Sequence, residues 1–334
     1  MKLTFEQIKA VTLGAVRVEE TQGGIRFCRF TKAQEDLYDS YSQDFLKKSF
    51  SAAGICLRFR TDSTCLGLKA TVSSGSSRTY FAFDLLIDGR LADSLSNFRE
   101  EEMPRDYTQV QLPQGNCEKV FSLGSGEKEV CLYFPWSVAV VLRELTLDAG
   151  AAVIPVKPEK KLLAFGDSIT HGYDAQHPSG KYISRLARHL DAQEFNKAIG
   201  GEVFFPPLAL EKEDFTPDLI TVAYGTNDWR TYTAREIGEN CRDFYTNLRK
   251  TYPNTPIWAI TPIWRADCLT AVSPGGEFAL VEEIIRRAVS ELDNITVIRG
   301  VDILPKDTEL FADGYLHPND RGFEAYFEGL LALR

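Results

Sequence analysis

One stretch of this chain joins an apolar run to residues that could do covalent chemistry: Lys161-Leu162-Leu163-Ala164-Phe165 passes directly into Gly166-Asp167-Ser168-Ile169-Thr170. If the run is a strand of a parallel sheet, its carboxyl end lies on the edge where ligands bind, because the chain turns there and exposes backbone groups. Ser168 would stand on that edge. A serine hydroxyl is a weak nucleophile, so it needs a base within hydrogen-bond reach and donors for the oxyanion formed on attack at an acyl carbon. A Gly-Asp-Ser turn alone says little, since turn residues end strands in many folds. His171 lies three residues beyond Ser168, and His177 and His189 read as loop and helix surface. No His-x-x-x-His pattern or clustered aspartates appear near these loops, so neither a metal nor another cofactor is expected.

The elements that must carry this edge are legible beyond residue 160. Strand and helix patterns alternate there: Lys161–Phe165 then Ser179–Leu190; Glu194–Ala198; Asp218–Tyr224 then Thr233–Tyr252; Pro256–Thr261 then Glu277–Leu292; Asn294–Arg299 then Asp320–Leu333. That alternation predicts an α/β fold with a doubly wound parallel sheet. Thr233 and Glu236 form a capping box, after which Ile237, Cys241, Phe244, Tyr245 and Leu248 share one helical face. Asp320 is the expected N-cap of the last helix.

The first half alternates at period two instead. Ile55, Leu57 and Phe59 interleave with Cys56, Arg58 and Arg60, and Leu66, Leu68, Ala70 and Val72 follow the same rule. Asp88-Gly89 between Tyr80–Ile87 and Arg90–Ala92 signals a two-residue hairpin. Short strands with almost no helical pattern predict a separate all-β sandwich or jelly roll over residues 1–150. Pro155 and Pro158 mark the boundary, and residues 160–334 form the second domain.

Composition restricts the function classes. With 334 residues, 44% hydrophobic and 25% charged, the chain can bury two ordinary cores and is neither fibrous nor disordered. Its longest apolar runs, Val138–Leu142 and Leu219–Tyr224, fall far short of the roughly 20 residues that cross a bilayer, so no membrane partner is expected. A net charge of −9 without a basic, aromatic-interleaved cluster argues against nucleic acid. The start, Met1 to Gln7, meets acidic and amide residues before any signal-peptide core could form, and the seven cysteines show no metal-ligand spacing. Both features point to an unexported, cytoplasmic protein.

On its motifs the second half resembles the SGNH/GDSL hydrolase superfamily, whose members carry four short blocks in order on a flavodoxin-like fold. Here these are Gly166-Asp167-Ser168, Asn196 to Gly201, Gly225-Thr226-Asn227-Asp228, and Asp313 to Asn319. The resemblance implies Ser168 as nucleophile and His317 as general base. It also implies an oxyanion hole made by the N–H groups of Ser168 and Gly201 and the Asn227 side chain. The family's usual acid stands three residues before its histidine, whereas Asp313 stands four before His317. A bulge would absorb the difference and leave a triad. Alternatively the chain works as a dyad, as in two-domain carbohydrate esterases where a backbone carbonyl orients the histidine.

The resemblance covers residues 160–334, while the sandwich is matched only in architecture. It implies an esterase that removes a small acyl group, acetyl above all, from a small-molecule or oligosaccharide ester through an acyl-serine. A lipase or thioesterase with a longer acyl pocket is one alternative, and a silent carbohydrate-binding protein is the other. Trp229, Trp264, Arg265 and His171 are the further residues placed to meet substrate at the pocket mouth, whereas Asp167 and Asp228 are expected to hold their loops. A homo-oligomer is left open.

Overall fold

A computed structural model describes all residues, 1–334. The first half runs α1 (Phe5–Val11), β1 (Thr12–Leu13), β2 (Arg17–Thr21), β3 (Gly24–Cys28), α2 (Lys32–Tyr41), α3 (Gln43–Ser49), β4 (Cys56–Thr61), β5 (Cys65–Ser74), β6 (Ala82–Ile87), β7 (Arg90–Ser96), β8 (Asn116–Ser122), β9 (Lys128–Tyr133), β10 (Val138–Leu147) and β11 (Ile154–Pro155). The period-two pattern becomes burial. Leu66, Leu68, Ala70 and Val72 of β5 point inward, and their neighbours stay at least partly exposed. Two antiparallel sheets result, β1-β4-β9-β6-β7 with β11 added to β4, and β2-β3-β10-β5-β8. Leu57, Phe59, Phe83, Phe121, Leu132 and Leu142 join their inner faces in one core. Asp88 and Gly89 take φ of 49° and 79°, the left-handed pair that a tight hairpin between β6 and β7 requires.

Three helices in the first 50 residues correct the expectation of an almost helix-free half. Thr4 with Gln7 and Thr31 with Gln34 form capping boxes at α1 and α2. Those Thr-x-x-Gln signals stand in the sequence, but helices of two or three turns are too short for their apolar period to stand out.

The second half runs β12 (Lys160–Gly166), α4 (Ser168–His171), α5 (Tyr182–His189), β13 (Ala192–Asn196), β14 (Leu219–Ala223), α6 (Thr226–Thr231), α7 (Ala234–Thr251), β15 (Ile257–Ile260), α8 (Ala279–Val289), β16 (Ile295–Ile298) and α9 (Asp320–Ala332). Every strand pair is parallel, in the order β13-β12-β14-β15-β16. This is the flavodoxin-like winding, and its order reverses beside β12. Ser168 follows β12, Gly201 follows β13 and Asn227 follows β14, so three strand ends converge on that switch point. The cap of α9 is Asn319, which accepts from Gly322 N–H at 3.0 Å. Asp320 serves elsewhere, its carboxylate accepting from the N–H groups of Gln176 and His177.

The halves share their interior. Tyr80, Tyr107 and Trp136 pack in one core with Tyr173 and Tyr182, and Phe30 and Tyr38 in another with Phe204, Phe205 and Phe244. Arg29, fully buried, donates to backbone oxygens on both sides. His177 is no plain loop residue either. Its Nδ1 lies 2.9 Å from buried Asp84 of β6, and its Nε2 lies 3.0 Å from Glu100.

The bond to Asp84 raises the His177 imidazole to about 9, against burial. A folded value above the unfolded one means that protonation favours the folded state. This contribution is therefore complete below about pH 6.5 and is lost as pH rises through about 9. Chemical denaturation of the native protein should show about 1–3 kcal/mol less stability at pH 9.5 than at pH 6 from this source, and His177→Gln should flatten that slope.

Candidate active site

Ser168 is the first residue of α4, where the chain turns off β12, and its side chain is almost covered. Asp167 caps this turn, its Oδ1 accepting from Ile169 N–H at 3.0 Å, and burial pushes its carboxyl up to about 6. The hydroxyl of Ser168 lies 2.8 Å from His317 Nε2. On the other side of the ring, Nδ1 lies 2.7 Å from Asp313 Oδ2. The four-residue spacing closes because Gly314 takes φ 75° and the Asp313 carboxylate gathers the N–H groups of Tyr315, Leu316 and His317. Burial opposes charge on Asp313, but the His317 bond and these N–H donors outweigh it, so its carboxyl stays below the usual range. With Nδ1–H given to Asp313, Nε2 is left as the acceptor for the serine proton.

The expected donors Gly201 and Asn227 follow β13 and β14, the strands on either side of β12. Gly201 takes φ 89°, a conformation that resists a side chain, and its N–H has no partner within the protein. The carbonyl of the same peptide, Gly200 O, accepts from Lys48 Nζ of α3 at 2.8 Å. A cation on that oxygen polarises the peptide and strengthens the Gly201 N–H as a donor. Asn227 gives one amide proton to Glu202 O at 2.9 Å, which fixes the side chain and leaves its other proton to serve. Glu202 itself is buried between the hydroxyls of Tyr38 and Tyr224, and burial pushes its carboxyl up to about 8. Asp228 holds its loop by accepting from Phe204 N–H at 3.0 Å, with its carboxyl raised by burial to about 7.

The four expected pocket residues lie elsewhere or do other work. His171 is fully buried. Its Nδ1 accepts from Gly200 N–H at 3.2 Å, while Nε2 faces Trp136 O at 3.0 Å and Ser51 Oγ at 2.8 Å. Burial holds the ring well below its usual value, so it is neutral, as an Nδ1 acceptor must be. It braces the turn at Gly200 and is closed off from the surface. Trp229 is also fully buried, its indole N–H donating to Gly276 O at 2.8 Å. Asn227 and Trp229 are two residues apart on α6, about 200° around a helix, so bringing the amide to the site turns the indole away. Arg265 is buried, bonded to Asp267 and to Thr226 Oγ1 at 3.1 Å. Trp264 packs on Phe311 and lines a cleft of about 780 Å³ with Leu269, Val272 and Phe278, which neither Ser168 nor His317 lines.

Sequence reasoning missed the residues that the first half contributes. Besides Lys48, these are Arg78, Tyr80 and Tyr107, which hold Asp174 behind His317. Asp174, Asp313 and His317 bring one ligand-type atom each within 4.8 Å of one another, and the cation that meets Asp174 is the Arg78 guanidinium. Tyr315, two residues before His317, is 39% exposed. The only short-range signal is the nearness of Asp174 to Ser168; the other pairings span 67 to 152 residues.

The GDSL-like lipase/acylhydrolase family model matches residues 164–325, the span holding all four blocks. No protein of curated function matches the chain. Among solved structures, the chain is similar to the salicylyl-acyltransferase SsfX3 of a tetracycline biosynthetic pathway, with TM-score 0.80 and 22% identity over 96% of this chain and 93% of that one. It is also similar to a protein described as a GDSL-like lipase from Bacteroides ovatus, with TM-score 0.77 and 21% identity over 99% and 95%. An acetyl xylan esterase from the rumen bacterium Butyrivibrio proteoclasticus matches with TM-score 0.63 and 16% identity over 99% and 96%. At these identities the likeness establishes a common fold for both halves.

If the Asn227 amide meets the developing oxyanion, Asn227→Ala should lower kcat on an activated ester by about 10²–10³ with little change in KM. Steady-state kinetics checks this, and a loss of only about threefold would remove Asn227 from the donor set.

Proposed function

With residues 164–325 a GDSL-like lipase/acylhydrolase domain and the protein a serine ester hydrolase, we propose that it removes a small acyl group, acetyl above all, from a carbohydrate ester. The observation that carries this reading is the chain of contacts from Ser168 Oγ to His317 Nε2 at 2.8 Å and from Nδ1 to Asp313 at 2.7 Å. In this reading residues 160–334 carry the chemistry, and residues 1–150 form a jelly-roll-like sandwich that completes the site.

Ser168 Oγ attacks the acyl carbon while its proton passes to His317 Nε2, and Asp313 holds the imidazolium that forms. The oxyanion is met by the N–H groups of Ser168 and Gly201 and the amide of Asn227. As the carbon–oxygen bond to the alcohol breaks, Nε2–H gives its proton to the leaving oxygen. Water then attacks the acyl-serine, its proton passing to Nε2 and on to Ser168 as the acid leaves.

Two features support a small acyl group on a sugar. The cleft that would suit a long chain lies beyond Trp264 and is not lined by Ser168. Tyr315, exposed beside the base, offers a flat aromatic face of the kind on which a sugar ring stacks. The xylan esterase likeness is consistent with this substrate class.

Ser168→Ala should lose activity on p-nitrophenyl acetate by about 10⁴-fold or more while keeping its fold by circular dichroism. Activity equal to wild type would end the reading. Rates of the native protein should fall from acetyl to octanoyl p-nitrophenyl esters, and acetylated xylo-oligosaccharides should release acetate. A rise with chain length would favour a lipase instead.

A further inference from the structure

We propose that Asp174 is a second carboxylate for the His317 base, held in place by Arg78 of the sandwich, so that the first half of the chain sets the charge felt by the catalytic imidazole. The proposal rests on the Ser168–His317 reading and extends it to a positioning residue outside the four blocks.

The geometry is specific. Asp174 is fully buried, and its Oδ2 lies 3.5 Å from His317 Nδ1, the nitrogen that also meets Asp313. Arg78 Nε donates to Oδ1 at 2.6 Å and Nη2 to Oδ2 at 2.9 Å. Tyr80 OH donates to Oδ1 at 2.5 Å, and Tyr107 OH donates to the Asp174 carbonyl at 2.6 Å. All three partners precede residue 150, and Asp174 is held at φ 70°, which a non-glycine residue seldom adopts. A carboxylate needs no such grip to cap a turn. This one is fixed in a strained backbone by three side chains of the other half, with one oxygen turned to the base.

The charges explain the arrangement. A single Nδ1–H cannot bond fully to two acceptors, so Asp313 takes the hydrogen bond and Asp174 acts mainly through its field. That field matters when His317 carries the serine proton, because a nearby negative charge stabilises the imidazolium. Arg78 lowers the cost of burying Asp174 and tempers its field. The other groups that face or flank the imidazole are Asp313 on its own loop, Ser168 and Asp167 at the start of α4, and Tyr173, whose ring centre is 5.8 Å away. Tyr107 and Arg78 complete the sandwich side, and Arg265 lies by Tyr315. None of these besides Arg78 is a cation bonded to Asp174.

The test is the pH dependence of kcat/KM on p-nitrophenyl acetate. Asp174→Asn should move the acidic limb down by about half to one pH unit, and Arg78→Gln should move it up, because the Asp174 charge is then unshielded. The double variant should lie between Asp174→Asn and wild type, because both charges are then gone. A purely structural role would lower activity at every pH and leave the limb where it is, and that result would overturn the proposal. Should Arg78→Gln fail to fold, Asp313 supplies an independent test. Asp313→Asn should keep turnover within about 10-fold to 10²-fold of wild type because Asp174 still faces Nδ1, and adding Asp174→Asn should remove at least about 10-fold more. Equal activity of Asp313→Asn and the double variant would overturn the proposal. Full activity of Ser168→Ala would instead defeat the underlying reading, so the two failures are distinct.

Discussion

A guanidinium with no carboxylate beside it ties the two halves of this chain together. Arg29 is fully buried, and burial lowers its value to about 10, still charged at neutral pH. Nε donates to Ser51 O at 2.8 Å, Nη1 to Asn196 O at 2.8 Å and Ala198 O at 3.1 Å, and Nη2 to Lys48 O at 3.0 Å and Ser51 Oγ at 2.9 Å. A buried cation is tolerated only when all its donors are matched, and here the acceptors are the chain segments that must be aligned. One side is the end of α3 and the turn after it; the other is the end of β13, which leads to Gly201. Lys197 repeats the theme, its Nζ bonded to Arg29 O at 2.6 Å and to Glu213 at 2.8 Å.

This tie carries the first half to the edge of the candidate site. The segment that Arg29 grips brings Lys48 to Gly200 O and Ser51 to His171, and His171 in turn accepts from Gly200 N–H. Gly200 is therefore held at both of its backbone groups, its carbonyl by Lys48 and its N–H by His171, which fixes the turn that leads into Gly201. The sandwich loop bearing Arg78 reaches the base in the same way. Both sides of the reaction are thus braced by residues outside the α/β sheet.

Much of this was legible in the sequence, for reasons that also explain what was not. Parallel strands buried on both faces read as apolar runs, as Leu162–Phe165 and Leu219–Val222 do before the first and third blocks; the strand leading to the second block, Ala192–Asn196, lies at the sheet edge and is largely polar, so its place follows from the alternation of elements instead. The Asp88-Gly89 turn is local chemistry and was equally plain. His171 and Trp229 were misplaced because nearness to a motif does not say which way a side chain points. On α6 the amide and the indole face opposite ways, and His171 is covered by Trp136 and Ser51. Lys48 and Arg78 carry no local signal, since a lone cation in a surface-like sequence declares its partner only when folding brings the two together.

The proposed oxyanion site at the switch point is tested most directly by the structure of the native protein after reaction with a phosphonate ester. The phosphorus should be bonded to Ser168 Oγ, with its phosphoryl oxygen about 3 Å from both Gly201 N and Asn227 Nδ2. A phosphoryl oxygen turned away from both donors, or phosphorus bonded to another residue, would contradict it.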